Sequence, residues 1–178
     1  MMAHRPKRTP EKIHVSVEVI RADYHDPVHA NAIIELLDAY ARDPMGGGEA
    51  LPAEVKERVV RELARLPHAF SLIAYADGVA VGLANCFEAF STFAARPLIN
   101  IHDFVVLAEY RGRGVSQDLL EAVEAAARER GCCKITLEVL SGNEAARAAY
   151  AKFGFRDYTL DVRAGSALFW QKPLGNHD

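Results

Sequence analysis

The chain has 178 residues, of which 50% are hydrophobic and 25% charged, with a formal net charge of −3; these proportions describe one globular domain with a full apolar core. The slightly acidic balance argues against a general nucleic-acid binder, and no run of about 18 apolar residues offers a membrane span. The cysteines Cys86, Cys132 and Cys133 lack the number and spacing of a disulfide framework or a zinc site, so no metal is expected.

The basic opening "MMAHRPKRTPEK" (1–12) has no signal-peptide core. It reads as a disordered leader on a cytoplasmic protein, followed by one domain over 13–174 and a tail at 175–178. "IHVSVEVI" (13–20) alternates Ile13, Val15, Val17 and Val19 with other residues, the period of a half-buried strand. After Asp26-Pro27, Ile33, Leu36, Leu37 and Tyr40 recur at helical spacing; after Pro52 a second helix carries Val55, Val59, Leu63 and Leu66 on one face. The bridge "RDPMGGGEALP" reads as a mobile loop able to close over a ligand.

Two strands meet at Asp77-Gly78, a dipeptide suited to a tight hairpin because both central residues need positive φ. "LINIHDFVVL" (98–107) is apolar on both faces, as a central strand should be. A glycine-rich loop, "EYRGRGVS", then leads into a helix over about 114–130, whose buried stripe is Val115, Leu119, Val123 and Ala126 and which Gly131 ends. "CKITLEVL" predicts another strand, and "NEAARAAYAKF" a helix capped by Asn143 and stopped at Gly154. "FRDYTL" and "ALFWQKP" predict two closing strands. The sum is an α/β domain of seven strands and about four helices around a mixed sheet.

The glycine loop sits where a strand hands over to a helix. A helix N-terminus presents unpaired amides and partial positive charge, which attract phosphate. Gly112 and Gly114 would let backbone approach an anion closely, with Arg111 and Arg113 adding charge; a turn that needs glycine for φ alone is the other reading. The loop is neither a Walker-type P-loop nor a dinucleotide fingerprint, because Gln117 stands where the latter needs its third glycine.

"RGRGVS" (111–116) resembles the [QR]-x-x-G-x-[GA] signature of the GNAT family of N-acetyltransferases, with Ser116 where Gly or Ala is usual, and "NEAARAAYAKFGF" resembles the family's Asn, Tyr and Gly-Phe helix. Element order agrees over about residues 13–172. The resemblance implies a mainly antiparallel mixed sheet with splayed central strands and acetyl-CoA as cosubstrate. The cofactor's pyrophosphate would lie on the amides of Arg111, Gly112, Arg113, Gly114, Val115 and Ser116, with Asn143 a further contact. It also implies a backbone donor to the oxyanion near Phe104, Val105 and Val106, Tyr150 as general acid, and a homodimer.

Acetyl transfer to an amine requires a neutral amine, a stabilised oxyanion and a proton for the leaving thiolate. "NIHDFVVLAEYRGRG" is similar to the corresponding segment of spermidine/spermine and thialysine acetyltransferases, with His102 in place of a Glu in their Glu-Asp pair. Histidine can take a proton near neutral pH, so His102 is the first candidate base and Glu138 the second. Strict alternation would turn His102 and Asp103 to opposite faces unless a bulge intervenes. Asp103 then reads as a structural or acceptor-orienting carboxylate. Asp43, Glu49 and Glu88 are candidate acidic residues at the acceptor entrance, which would suit a small amine, polyamine or lysine-like amino acid. A peptide or protein amine, and a non-catalytic coenzyme-binding module, are the competing readings.

Overall fold

A computed structural model describes residues 16–159, 161, 163, 165 and 167–174. The leader, Ile13, Val15, Leu160 and the tail at 175–178 lie outside the described residues. The elements are β1 (Val17–Arg21), α1 (Pro27–Arg42), α2 (Ala53–Ala64), β2 (Ala69–Ala76), β3 (Val79–Ser91), β4 (Arg96–Val106), α3 (Val115–Glu129), β5 (Ile135–Leu137) and α4 (Glu144–Phe153). A single 3-10 turn, Ala108–Tyr110, separates β4 from the glycine loop.

The sheet has five strands in the order β1-β2-β3-β4-β5. β1 to β4 pair antiparallel and β5 joins β4 in parallel, so the sheet is mixed and mainly antiparallel. The expected count of seven is corrected. Among the described residues the segments at 155–160 and 167–173 form no strand beyond an isolated bridge at Thr159, with Ala167 N–H donating to Tyr158 O at 3.2 Å. Leu168, Phe169 and Trp170 stay exposed, so the apolar residues that predicted a closing strand bury nothing to offset the ordering of their backbone.

The hairpin turn forms as expected, with Asp77 at φ 50° and Gly78 at φ 80°. Two apolar layers cover the sheet. α3 and α4 pack with Ala84, Cys86, Ile99, Ile101, Phe104 and Val106 on one face, and α1 and α2 with Ile73, Leu83 and Val105 on the other. In α2 Val60 and Leu63 are buried with Val59 packed beside them, whereas Val55 in the first turn and Leu66 past the end of the helix are exposed. In α3 the stripe runs Val115, Leu119, Leu120, Val123 and Ala127.

One position fixes how closely α3 approaches the sheet. A Cβ built on Gly82 would stand 2.9 Å from Leu119 Cδ1, 3.2 Å from Val105 O and 3.3 Å from Val115 Cγ1. Gly82 pairs with Val106 at the end of β4, so α3 begins directly over that end. Overpacking a filled site costs roughly 1–3 kcal/mol. Gly82→Val is expected to lower stability by that amount in urea unfolding and to push the first turn of α3 outward; unchanged stability would show that the contact yields freely.

Candidate active site

The β4–β5 ladder is short. It pairs Ile99 with Ile135, Asn100 with Thr136 and Ile101 with Leu137, and there it ends. β4 runs on to Val106 without β5 beside it. Past that point lies a cleft of about 690 Å³ between the end of β4, the glycine loop and α4, with Tyr40, Asp43 and Met45 on its far rim.

Backbone donors line this cleft. Gln117 and Asp118 N–H both return to Gly114 O, at 2.8 and 3.2 Å, but the amides of Gly112, Arg113, Gly114, Val115 and Ser116 have no partner among the described residues. Gly112 (φ 74°) and Gly114 (φ 101°, the N-cap of α3) hold the loop in a conformation that L side chains rarely adopt, and a Cβ at either would meet nothing within 4 Å. The glycines thus serve both readings, the turn and an open approach to the amides. The loop arginines are engaged by the protein itself. Arg111 donates from Nε to Val106 O at 3.0 Å and from Nη2 to Asp43 Oδ2 at 2.8 Å, while Arg113 stacks on Tyr110 at 5.4 Å. Arg111 holds the Asp43 carboxyl below the usual range, aided by the Met45 amide.

β4 supplies two further amides. Leu107 N–H donates to Val81 O at 2.9 Å, so by strand alternation Val106 and Phe104 turn their amides away from β3, into the opening that β5 has left. Tyr150, 8% exposed, stands on α4 with its ring between Phe104 (5.7 Å) and Phe155 (5.9 Å). Gly154 caps α4 by donating to Tyr150 O and Ala151 O, and the turn brings Phe155 back onto Tyr150. Burial, with Tyr40 nearby, pushes the Tyr150 hydroxyl up to about 12. Asn143 caps the same helix, accepting from Ala146 N–H at 3.1 Å, and its side chain also lines the cleft.

His102 sits in a bulge. Asn85 pairs with Asp103 and the next residue, Cys86, with Ile101, which leaves His102 as the extra residue of β4. The bulge changes the parity of the strand. Ile99 and Ile101 face α3, and after the bulge Phe104 and Val106 do so again, while Asp103 and Val105 face α1. His102 packs edge-on against Phe87 at 5.6 Å, on the α1 side with Asp103. Glu138, just past β5, accepts from Asn100 Nδ2 at 3.3 Å on that same side.

The acetyltransferase (GNAT) family model matches residues 31–155. The chain belongs to that family. It is similar to the thialysine N-epsilon-acetyltransferase of Bos taurus, 33% identical over 79 residues that make up 44% of this chain and 46% of that protein. It is also similar to the aminoglycoside N(6')-acetyltransferase type 1 of Salmonella typhimurium, 27% identical over 99 residues, 54% of this chain and 68% of that one. The uncharacterized N-acetyltransferase YycN of Bacillus subtilis is 39% identical over 57 residues; the chain spans about a third to a half of the length of the first of these relatives, 36% for YycN and 46% for the bovine protein. A crystal structure of a probable acetyltransferase shares the GNAT fold at TM-score 0.74 and 19% identity, covering 90% of this chain and 99% of that one. So does an aminoglycoside N-acetyltransferase in complex with coenzyme A, at TM-score 0.68 and 21% identity over 94% of this chain and 100% of that one.

In this GNAT chain the cleft gathers Tyr150 with every residue expected at the coenzyme: Phe104, Val105, Val106, Arg111 to Ser116, and Asn143. The expected acidic entrance does not assemble. Asp43 is tied to Arg111, Glu49 is exposed on the loop after α1, and Glu88 is paired in register with Ile99, seven residues before Val106 or roughly 20 Å along the strand. Glu88 instead lies 3.7 Å from Arg130 Nε, on the α3 side. The bridge after α1 folds back on the helix through Gly46, Gly48 and Glu49 N–H; a Cβ on Gly46 would fall 1.9 Å from Tyr40 O.

The sequence reading missed Tyr40, Gln117 and Lys152, all on the cleft. Tyr40 was legible only as part of a helix stripe. Gln117, noted for breaking a dinucleotide motif, ties α3 to α4 by donating to Ala149 O at 3.2 Å. Among the described residues no cluster of three or more His, Cys, Asp or Glu is arranged to hold a metal, and no helix is long and apolar enough to cross a membrane.

The raised Tyr150 value fixes a pH dependence of stability. An unfolded tyrosine ionises near 10, so its neutral form stabilises the fold fully below pH 10, and the contribution is lost as pH rises through about 12. Between pH 8 and 11 the wild type is expected to lose roughly 1 kcal/mol more than Tyr150→Phe, read from urea midpoints at the two pH values. Parallel losses in the two proteins would mean that Tyr150 is not held neutral by burial.

Proposed function

We propose that this protein transfers an acetyl group from acetyl-CoA to the primary amine of a small cationic acceptor by direct attack in a ternary complex. The observation that carries the reading is the row of unpartnered amides from Gly112 to Ser116 on a cleft whose wall holds a buried, protonated Tyr150. Acetyl-CoA, when bound, supplies the thioester carbonyl; the residues of the chain hold it, shield it and move protons around it.

The free amides and the N-terminus of α3 suit a pyrophosphate; Arg111 is committed to Val106 O and Asp43, so backbone does most of the holding, and Arg113, stacked on Tyr110, keeps its N–H donors free to assist. The Val106 and Phe104 amides face the opening and serve as donors to developing negative charge on the carbonyl oxygen. Tyr150 keeps its proton across the physiological range and donates towards the departing thiolate. On the α1 side, His102 takes the amine's proton directly or through water, with Glu138 as the second group able to do so. Asp103 orients the acceptor. The similar stretches in thialysine and aminoglycoside acetyltransferases support an amine acceptor of this class. A homodimer in the cytoplasm, free of nucleic acid and membrane, belongs to the same reading.

The test is coenzyme A release from acetyl-CoA with a panel of thialysine, polyamines, aminoglycosides and short peptides. Release that depends on one amine class, and that falls roughly 10²- to 10⁴-fold in Tyr150→Phe while calorimetric affinity for acetyl-CoA holds, is expected. Gly114→Val is expected to abolish that affinity by filling the approach to the amides. Full acetyl-CoA affinity in Gly114→Val, or full turnover in Tyr150→Phe, would overturn the respective assignment.

A further inference from the structure

Two polar side chains are buried in the sheet where apolar residues would pack. Ser71 on β2 is 0% exposed and Asn85 on β3 is 2% exposed. They belong to one file of hydrogen bonds that crosses the α1 face of the sheet. Tyr24, in the turn before α1, lies 2.9 Å from Ser71 Oγ; Ser71 donates to Asn85 Oδ1 at 2.6 Å; and Asn85 Nδ2 donates to Asp103 Oδ2 at 3.0 Å.

The direction of the file follows from its last member. An ionised carboxylate can only accept, so Asn85 must present its NH₂ to Asp103 and its carbonyl to Ser71. Ser71 has one proton and spends it on Asn85. The proton between Tyr24 and Ser71 therefore comes from the tyrosine. Each donor aims at the next group, and all of them aim at Asp103. Among the described residues Asn85 is the side chain that donates to Asp103, and no group occupies Asp103 Oδ1.

We infer that Asn85, backed by Ser71 and Tyr24, is a positioning residue that fixes one oxygen of Asp103 so that the other is presented to the ammonium group of the acceptor. This rests on the proposed amine acetyltransfer and names how its acceptor is oriented. The geometry favours orientation over plain structural filling in two respects. The file ends on a partly buried carboxylate beside the bulge that carries His102, and it crosses three strands to get there. A buried unsatisfied group is costly, so the amide and hydroxyl are held in one arrangement as long as Asp103 completes it.

The test compares wild type, Asn85→Leu and Ser71→Ala for KM of thialysine or whichever amine of the panel turns over, calorimetric affinity for acetyl-CoA, and the crystal structure of Asn85→Leu. In Asn85→Leu the acceptor KM is expected to rise roughly ten- to a hundredfold while acetyl-CoA affinity stays within twofold, and the Asp103 carboxylate is expected to turn from its position. Ser71→Ala, which does not touch Asp103, is expected to raise the same KM by a smaller factor. An unchanged KM in a folded Asn85→Leu, or an Asp103 carboxylate that keeps its place there, overturns the inference. If the wild type binds acetyl-CoA but turns over no amine, the proposed reaction fails separately, and the position of Asp103 in the variant structure still decides whether Asn85 holds it.

Discussion

One additional residue in β4 determines which side of the sheet each functional group serves. Without the bulge at His102, Asp103 and Val105 would continue the face of Ile99 and Ile101 and point into the α3 layer, burying a carboxylate among aliphatic side chains. With it, Phe104 and Val106 keep the apolar face continuous under α3 while Asp103 turns to the opposite side, where Asn85 can reach it. The bulge also coincides with the end of pairing to β5, since the ladder stops at Ile101 and Leu137. The strand therefore changes parity and loses its neighbour at nearly the same place, and the amides it frees open on the cleft.

The glycine loop depends on that same strand end. α3 can begin over Val106 because Gly82, paired with Val106, has no side chain to hold the helix away. Arg111 then crosses back to the Val106 carbonyl and to Asp43, tying the loop both to the strand it leaves and to the end of α1. Such an ion pair is exposed on the arginine side and contributes little to stability. Its effect is geometric: with Arg111 turned to Val106 and Asp43, the donors the loop leaves free are its backbone amides and the guanidinium of Arg113, which stacks on Tyr110 without a hydrogen bond among the described residues.

The parts of this arrangement that were legible in the sequence are those set by local rules. Asp77-Gly78, Asn143 as a cap, Gly154 as a stop and the glycine pair before α3 each announce a backbone conformation within a few residues, and each appears where expected. The bulge could be entertained but not placed, because whether His102 is an extra residue depends on the register of β3, a partner distant in sequence. The closing strands failed for a related reason. Alternation and aromatic content predicted "ALFWQKP" as a strand, yet strand formation needs a surface to cover, and Leu168, Phe169 and Trp170 remain exposed. The three acidic residues expected at an entrance are not brought together, because sequence proximity to a loop says nothing about partners: Asp43, on the cleft rim, pairs with Arg111, and Glu88 lies beside Arg130. Asn85 and Ser71 look unremarkable in apolar runs, and only their register opposite Asp103 gives them meaning.

The two faces of the sheet carry opposite chemistry at the opening between β4 and β5. On the α3 side the groups are backbone amides and a phenol that burial keeps protonated, all of them donors. On the α1 side they are an imidazole and the carboxylates of Asp103 and Glu138, with Asn100 and Asn85 each donating to one of those carboxylates. In the proposed reaction the first side would meet an acyl donor that develops negative charge, and the second an amine to be held as a cation and then deprotonated. For direct transfer both must meet in the gap itself, where β4 offers amides and no side chain of β5 intrudes beyond Leu137 in the ladder. The proposed reaction would in this sense require the short β5 ladder: a β5 that stayed paired to Val106 would consume the amides of Phe104 and Val106 and close the opening between the two faces.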